Sequence, residues 1–460
     1  MNNQTLSSGD EEFEQEVSLD QTFSFPEVLT EHEAFDAHLI IAPEYANWLV
    51  CDYNEHKAFQ LFRQGKSVRE VEALLGQTTP DAMDVISCLL AQILGKEFLR
   101  EAEVCDKDVF KVASIGITRG CNLRCTHCLR NATVPRPNEC SYQQWMKFIR
   151  AFRDFGGQTI ALTGGEPMIM PECFQIIEEA KELGFEVVLV TNGTLVTEEN
   201  ARILGENCDR VRVSIDGPDA KTNDGVRGKG TFKRAIDALR YLSVYPHCRL
   251  SVAMTPTPAT LPAFRAGLRQ FVDWLWKNVS PNISIRVTRR LLEGRNLPRM
   301  SKADDMAFQD DIVALCEDQL REDCVHRADA FEIVPNQRVF GCGLAEKFLI
   351  KEDGGFELCE LCPDSPVNIK GTEDGESFFR DLTKNFGEMI CSARVEKLRP
   401  CSDCDLRYFC GGKCRKDNVD DCGDPNICSC DATYREDWYR KLVRINPYIL
   451  EPLADRTERR

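Results

Sequence analysis

Three things are scarce in this 460-residue sequence. No apolar run approaches the roughly 18 residues needed to cross a bilayer, so no membrane span is expected. The opening stretch, MNNQTLSSGDEEFEQEV, has neither a basic flank nor an apolar core, so it does not read as a secretory signal. A cytoplasmic protein is the expectation. Positive charge is also short: 57 Lys and Arg face 74 Asp and Glu, for a net charge of −17. Such a surface repels phosphate backbones and argues against nucleic acid as a partner. The basic tip RTERR reads as a solvated end. Internal repeats and low-complexity tracts are absent. The remainder, 43% hydrophobic and 28% charged, is ordinary for a globular chain of several domains.

Cysteine is in excess. Without an export signal, 23 cysteines point to metal or redox chemistry, not disulfides. Three fall within residues 121–128 and eleven between 342 and 430. The other nine, Cys51, Cys88, Cys105, Cys140, Cys173, Cys208, Cys248, Cys316 and Cys324, read mostly as small core residues.

Patterning divides the chain. Residues 1–27 are polar and acidic, as in a disordered tail. In 28–104, AHLIIAPE and NWLVC read as strands and three helices follow, one opened by a Ser67/Glu70 capping box. Two strands and three helices predict a small winged-helix-like α+β domain. From 112 to 300, VASIGIT, QTIALT, EVVLVT, RVRVSID, RLSVAMT and NISIRVT alternate with helices. This α/β alternation predicts a parallel sheet with right-handed crossovers, an open partial (β/α)6 barrel whose chemistry lies at the strand C-termini. A helix over 301–321 opens a Cys-, Asp- and Gly-rich domain reaching 435, and a closing helix and tail occupy 436–460.

VASIGIT runs into RGCNLRCTHCLR, the spacing Cys121-x3-Cys125-x2-Cys128. Three thiolates in one loop suit three irons of a cubane and leave the fourth iron open. Zinc would want a fourth ligand nearby, and His127 lies between two ligating cysteines where ring geometry is poor. Later strands end in Gly164-Gly165-Glu166-Pro167, in Thr191-Asn192-Gly193-Thr194 and in Ser214-Ile215-Asp216-Gly217; Arg227 lies in VRGKGTF. Each of these polar residues also has a plainer reading as a cap or turn.

These motifs together resemble the radical SAM superfamily. The resemblance implies that Cys121, Cys125 and Cys128 hold a [4Fe-4S] cluster whose open iron binds S-adenosylmethionine (SAM). It places Gly164, Gly165, Glu166 and Pro167 at the methionyl amino group, Ser214 and Asp216 at the ribose and methionyl end, Asn192 in the same site, and Arg227 on the SAM carboxylate. One-electron cleavage of SAM then yields a 5′-deoxyadenosyl radical.

The later cysteines, Cys342, then Gly354 and Cys359, then Cys401-x2-Cys404-x5-Cys410-x3-Cys414 and Cys428, resemble the SPASM extension of radical SAM peptide maturases. That resemblance implies two auxiliary [4Fe-4S] clusters, one on Cys401, Cys404, Cys410 and Cys428, the other on Cys342, Cys359 and Cys414. Cys430 or Cys422 is the alternative to Cys428. Cys324, Cys362 and Cys391 are candidates for the open fourth position, and an open iron is a further option.

Residues 28–104 resemble the precursor-recognition element of ribosomal-peptide maturases, which adds a leader peptide as a strand to its sheet edge. The implied partners are a precursor peptide bound through its leader and an external one-electron donor of flavodoxin or ferredoxin type. A thioether crosslink is the expected product. A carbon–carbon crosslink or epimerisation is the runner-up, and a sulfatase-type formylglycine maturase is a third enzyme reading. A non-catalytic Fe–S or zinc scaffold is the reading from a different class.

Overall fold

The computed structural model describes residues 17–444 except 35, 103–109, 289, 321–334, 337, 342–346, 360–366, 372–374 and 425. The chain forms two compact units. One takes 1–107, 333–343 and 389–460; the other takes 108–332 and 344–388. The segment 301–435 is thus divided between them. No helix among the described residues is long and apolar enough to cross a membrane.

The first unit opens with an antiparallel meander of β1 (Thr30–Ala34), β2 (Ala37–Ala42) and β3 (Asn47–Cys51). Helices α1 (Tyr53–Arg63), α2 (Val68–Leu75) and α3 (Ala82–Gly95) follow. Asp52 and Glu55 form a capping box at α1, and Ser67 and Glu70 form the one expected at α2. Strand alternation sends Ile40, Leu49 and Cys51 into a core with Phe59, Phe62, Ile86 and Leu89. Two strands were expected here and three are found. The extra one, TEHEA, has no apolar run, because its side chains make polar contacts. Thr30 Oγ1 donates to Asp405 at 2.8 Å, His32 Nε2 lies 2.6 Å from the same carboxylate, and Glu31 accepts from Gln60 at 2.9 Å.

In the second unit, β4 (Val112–Thr118), β5 (Thr159–Gly164), β6 (Glu186–Thr191), β7 (Arg210–Ser214), β8 (Arg249–Met254) and β9 (Ser284–Val287) pair in parallel and in chain order. The crossovers carry α4 (Tyr142–Asp154), α5 (Cys173–Glu182), α6 (Glu198–Asn207), α7 (Ala220–Arg227), α8 (Thr231–Leu242) and α9 (Leu261–Asn278). Right-handed crossovers between sequential neighbours put all of these helices on one face of the sheet. That face is apolar: Ile160, Leu162, Val187, Leu189, Val211, Val213 and Val252 are fully buried. The other face is small and polar.

Next, α10 (Lys302–Leu320) packs on α9. β10 (Lys347–Ile350) pairs in parallel with β4, and β11 (Phe356–Glu357) pairs antiparallel with β10. Among the described residues the sheet therefore has eight strands, with β11 and β9 at its edges. α11 (Gly375–Ser392) adds Phe378 and Phe379 to an aromatic core with Phe148, Phe152, Phe348 and Phe356.

The chain returns to the first unit with α12 (Arg407–Cys410), α13 (Arg415–Cys422) and α14 (Ala432–Arg444). The outer face of the meander, Leu39, Ile41, Trp48 and Val50, packs on Leu406, Phe409, Leu442 and Val443. Trp48 Nε1 donates to the Leu442 carbonyl at 3.0 Å, and His32 stacks on Tyr439 at 3.8 Å. The front sheet is held between its own helices and the C-terminal segment.

Candidate active site

Parallel pairing brings the C-terminal ends of β4 to β9 to one rim of the sheet. β4 delivers Cys121, Cys125 and Cys128 there, all half-buried. Their loop is tied down on several sides. Cys121 N–H donates to Thr133 O at 2.9 Å, Thr126 N–H to Val226 O at 3.0 Å, and Arg295 N–H to Cys128 O at 3.1 Å. The Arg295 guanidinium donates to Asn131 Oδ1 at 2.8 Å and to Cys125 O at 3.3 Å. Gly294 comes so close that a Cβ would meet the His127 carbonyl at 2.5 Å. Burial raises the Cys121 and Cys125 thiols above their ordinary pKa. Backbone N–H groups of Leu123 and Ala132 point at the Sγ of Cys121 and Cys128, each at 3.4 Å, as donors to thiolates do.

The β5 end packs directly on this loop. Gly164 has φ +135°, and a Cβ on it would meet Thr118 O at 2.3 Å; one on Gly165 would meet Gly120 O at 2.1 Å. The two glycines permit the close bonds Gly165 N–H to Thr118 O and Glu166 N–H to Gly120 O, both 2.8 Å. Glu166 is fully buried and faces the protein. It accepts from Thr191 Oγ1 at 2.8 Å, Asn192 N–H at 2.7 Å and Met168 N–H at 3.3 Å. Burial pushes its carboxyl up in pKa against those bonds. Pro167 begins a short 3-10 turn beside it. Asn192 Nδ2 donates to Asn122 Oδ1 at 2.9 Å, and Asn122 Nδ2 donates to Thr194 Oγ1 at 2.8 Å. This chain locks the β6 end to the residue after Cys121.

At the β7 end, Ser214 is half-buried and Asp216 fully buried. Arg227 Nε donates to Asp216 Oδ2 at 2.5 Å, Thr255 N–H donates to Oδ1 at 2.7 Å, and His127 Nε2 lies 3.1 Å from Oδ2. Burial pushes this carboxyl up, but Arg227 and His127 outweigh it and hold its pKa at about 2. Asp216 thus positions Arg227 and His127. His127 Nδ1 is buried with no partner among the described residues.

The C-terminal cysteines of the first unit gather separately. Cys401 bonds with Cys428 and Cys430, which raises its pKa. Cys410 sits close enough to feel Cys404, Cys428 and Cys430. Cys404 and Cys410 thus lie within electrostatic reach of the bonded trio Cys401, Cys428 and Cys430, whereas Cys422 is exposed. Cys342, Cys324 and Cys362 lie outside the described residues. Cys359 follows β11 in the second unit; Cys414 precedes α13 in the first, and Cys391 is exposed. Of the scattered cysteines, Cys51, Cys140, Cys173, Cys208 and Cys248 are buried, as expected of core residues, while Cys88 is exposed.

Residues 115–254 match the sequence profile of the Radical SAM superfamily. The chain carries a radical SAM domain. It is 37% identical to the AdoMet-dependent heme synthase of Oleidesulfovibrio alaskensis over 152 residues, 32% of this chain and 39% of that protein. It is 33% identical to the mycofactocin maturase MftC of Mycolicibacterium smegmatis over 182 residues, 39% of this chain and 44% of that protein. The chain thus spans less than half the length of these curated relatives. A structure of Streptococcus suis SuiB bound to precursor peptide SuiA superposes with a TM-score of 0.51 at 14% identity, covering 90% of this chain and 99% of that one. At that identity the likeness is one of fold.

A radical SAM domain over residues 115–254 implies SAM and a [4Fe-4S] cluster, and the residues at its rim suit them. Three thiols share one hydrogen-bonded loop, N–H donors face two of the sulfurs, and a buried, unpartnered His127 Nδ1 lies in the same loop. A reduced cluster held there would supply one-electron reductive cleavage of SAM and thereby hydrogen-atom abstraction chemistry. Sequence reading missed Asn122, Thr255, Gly294 and Arg295. Thr255 follows a strand end, and the rule that found Ser214 would have found it. Arg295 lies in an irregular segment that gives no pattern.

Proposed function

We propose that this chain is a radical SAM peptide maturase that modifies a ribosomally made precursor, with a thioether crosslink as the expected product. The observation that carries the reading is the shared rim. The cysteine loop, the Gly164–Pro167 turn, Asn192 and the Asp216–Arg227 pair stand at neighbouring strand ends and are hydrogen-bonded to one another. Similarity to a mycofactocin maturase and the fold likeness to a precursor-bound structure support a peptide as substrate. The C-terminal cysteines are the SPASM-type site for auxiliary [4Fe-4S] clusters, with Cys401, Cys404, Cys410 and Cys428 as one set. An external flavodoxin- or ferredoxin-type protein supplies the electrons.

The front meander is the leader-binding element, and we assign the leader to the β1 edge. The β3 edge is already capped. Gln92 of α3 donates to Val50 O at 2.8 Å and accepts from Val50 N–H at 3.2 Å. Lys96 Nζ donates to Trp48 O at 3.0 Å, and Asn47 Oδ1 accepts from Trp48 N–H at 2.8 Å. The outward backbone groups of Trp48 and Val50 are therefore taken, while among the described residues no strand lies on the outer side of β1.

The test is co-expression with the small reading frame beside the gene, followed by mass spectrometry of the peptide. Loss of two hydrogens per modification supports a crosslink. An unchanged mass points to epimerisation, and an unmodified peptide beside active SAM cleavage refutes the peptide reading.

A further inference from the structure

The helix-free face of the parallel sheet carries Arg212 and Arg286, with which no carboxylate among the described residues forms an ion pair. Arg212 sits in mid-β7 between Val211 and Val213, which are buried on the helix side. Its register partners are Val190 on β6 and Ser251 on β8, and Ser251 in turn pairs with Ser284 on β9. One row nearer the rim lie Ser214, Ala253 and Arg286. Arg212 Nε is buried and has no hydrogen-bond partner among the described residues. Ser251, 5% exposed, has a hydroxyl in the same condition. Burial first, then the charges of Arg286 and Arg210, depress the Arg212 guanidinium to about 10. The neighbouring Arg249 differs, since Glu186 pairs with it at 2.5 Å.

A half-buried guanidinium whose enclosed Nε has no partner, with the exposed Arg286 one row away, is unfavourable in the empty protein. A long side chain that served only packing would carry its polar head out to water. Here the residue is half-buried and its Nε stays enclosed without a partner, on the same sheet face as the unpartnered Ser251 hydroxyl. Two residues along a strand are roughly 6.6 Å, so Arg212 lies one short step below the row of Ser214. The planar fork of arginine matches a carboxylate in particular.

We propose that Arg212 and Arg286, with Ser251, bind a carboxylate of the substrate and so turn the reacting residue toward the rim. Resting on the peptide reading above, this makes the substrate residue acidic or C-terminal: an Asp or Glu side chain, or the peptide's own terminus. Arg227 serves the SAM carboxylate and is not part of this site.

The experiment measures binding without turnover, so its failure is separable from failure of the peptide reading. The full-length, cluster-loaded protein with SAM is titrated calorimetrically with three probes. N-acetylglutamate methylamide carries only a side-chain carboxylate, N-acetylalanine only a terminal one, and N-acetylglutamine methylamide neither. One of the two carboxylates is expected to bind at least tenfold more tightly than the amide. Arg212→Met and Arg286→Met should remove that preference, and Arg212→Lys should restore part of it. Equal binding of all three probes, or an undiminished preference in Arg212→Met, overturns the proposal. So does tighter binding of inorganic phosphate than of either carboxylate. SAM affinity by equilibrium dialysis should be unchanged in Arg212→Met; a tenfold loss would assign the arginines to SAM and also overturn it. The ligand-free Arg212→Met protein should melt no lower than wild type, whereas a lower melting temperature would make Arg212 structural.

Discussion

Replacing Asp216 by Asn removes one charge from the most enclosed point of the rim and leaves its shape almost unchanged. Asp216 is fully buried and takes Arg227 Nε–H at 2.5 Å, Thr255 N–H at 2.7 Å and His127 Nε2 at 3.1 Å. An amide can keep the Thr255 bond through its oxygen. Its NH2 then faces the Arg227 Nε–H, donor against donor, and the buried guanidinium loses its counter-charge. Breaking a buried pair in this way costs about 3–5 kcal/mol. For a unit of this size that lowers Tm by roughly 10 °C. The pH dependence gives a second reading. The native carboxyl titrates at about 2 and an unperturbed one at 3.8. The depressed value means that the stabilisation is present above 3.8 and is lost as pH falls through 2. Its size, from the shift, is on the order of 2 kcal/mol. Scanning calorimetry from pH 6 to pH 2 on both proteins should show a steeper acid limb for wild type. An Asp216→Asn protein within about 1 kcal/mol of wild type, with the same acid limb, would refute the role given to Asp216.

Three further outcomes are expected. Gly165→Ala places a Cβ 2.1 Å from Gly120 O, so the cysteine loop must shift; cluster content by iron assay should fall while the far-UV spectrum holds. Gln92→Ala strips both partners from the buried Val50 backbone groups and should cost about 3 kcal/mol in urea unfolding. A cost under about 0.5 kcal/mol would mean that the β3 edge is not sealed by Gln92. Cys428→Ala should lower iron in the reconstituted protein more than Cys430→Ala, and the reverse order would assign Cys430 as the ligand.

Much of the second unit was legible in the sequence. Apolar runs such as EVVLVT and RVRVS announce buried parallel strands because one face is covered by helices, and turn residues mark their ends. β1 was not legible, since TEHEA draws its stability from Asp405 and α1, partners far away in the chain. β10 was missed for a related reason: KFLI is four residues long and becomes a strand only by pairing with β4. At the rim, spacing revealed the cysteines and the glycines. It could not reveal that Glu166 turns inward to Thr191 and Asn192, or that Arg295 anchors a loop some 170 residues earlier, as seen in its bond to Cys125 O. Those roles depend on side-chain direction in the folded state.

The central claim is that Cys121, Cys125 and Cys128 carry a SAM-cleaving cluster. The most direct measurement is anaerobic reconstitution with iron and sulfide, dithionite reduction and chromatography of the SAM products. Wild-type protein should release 5′-deoxyadenosine and methionine, and a Cys121→Ala, Cys125→Ala, Cys128→Ala triple variant should release neither. Absence of 5′-deoxyadenosine from the reduced wild-type protein, or its undiminished release by the triple variant, would contradict the account.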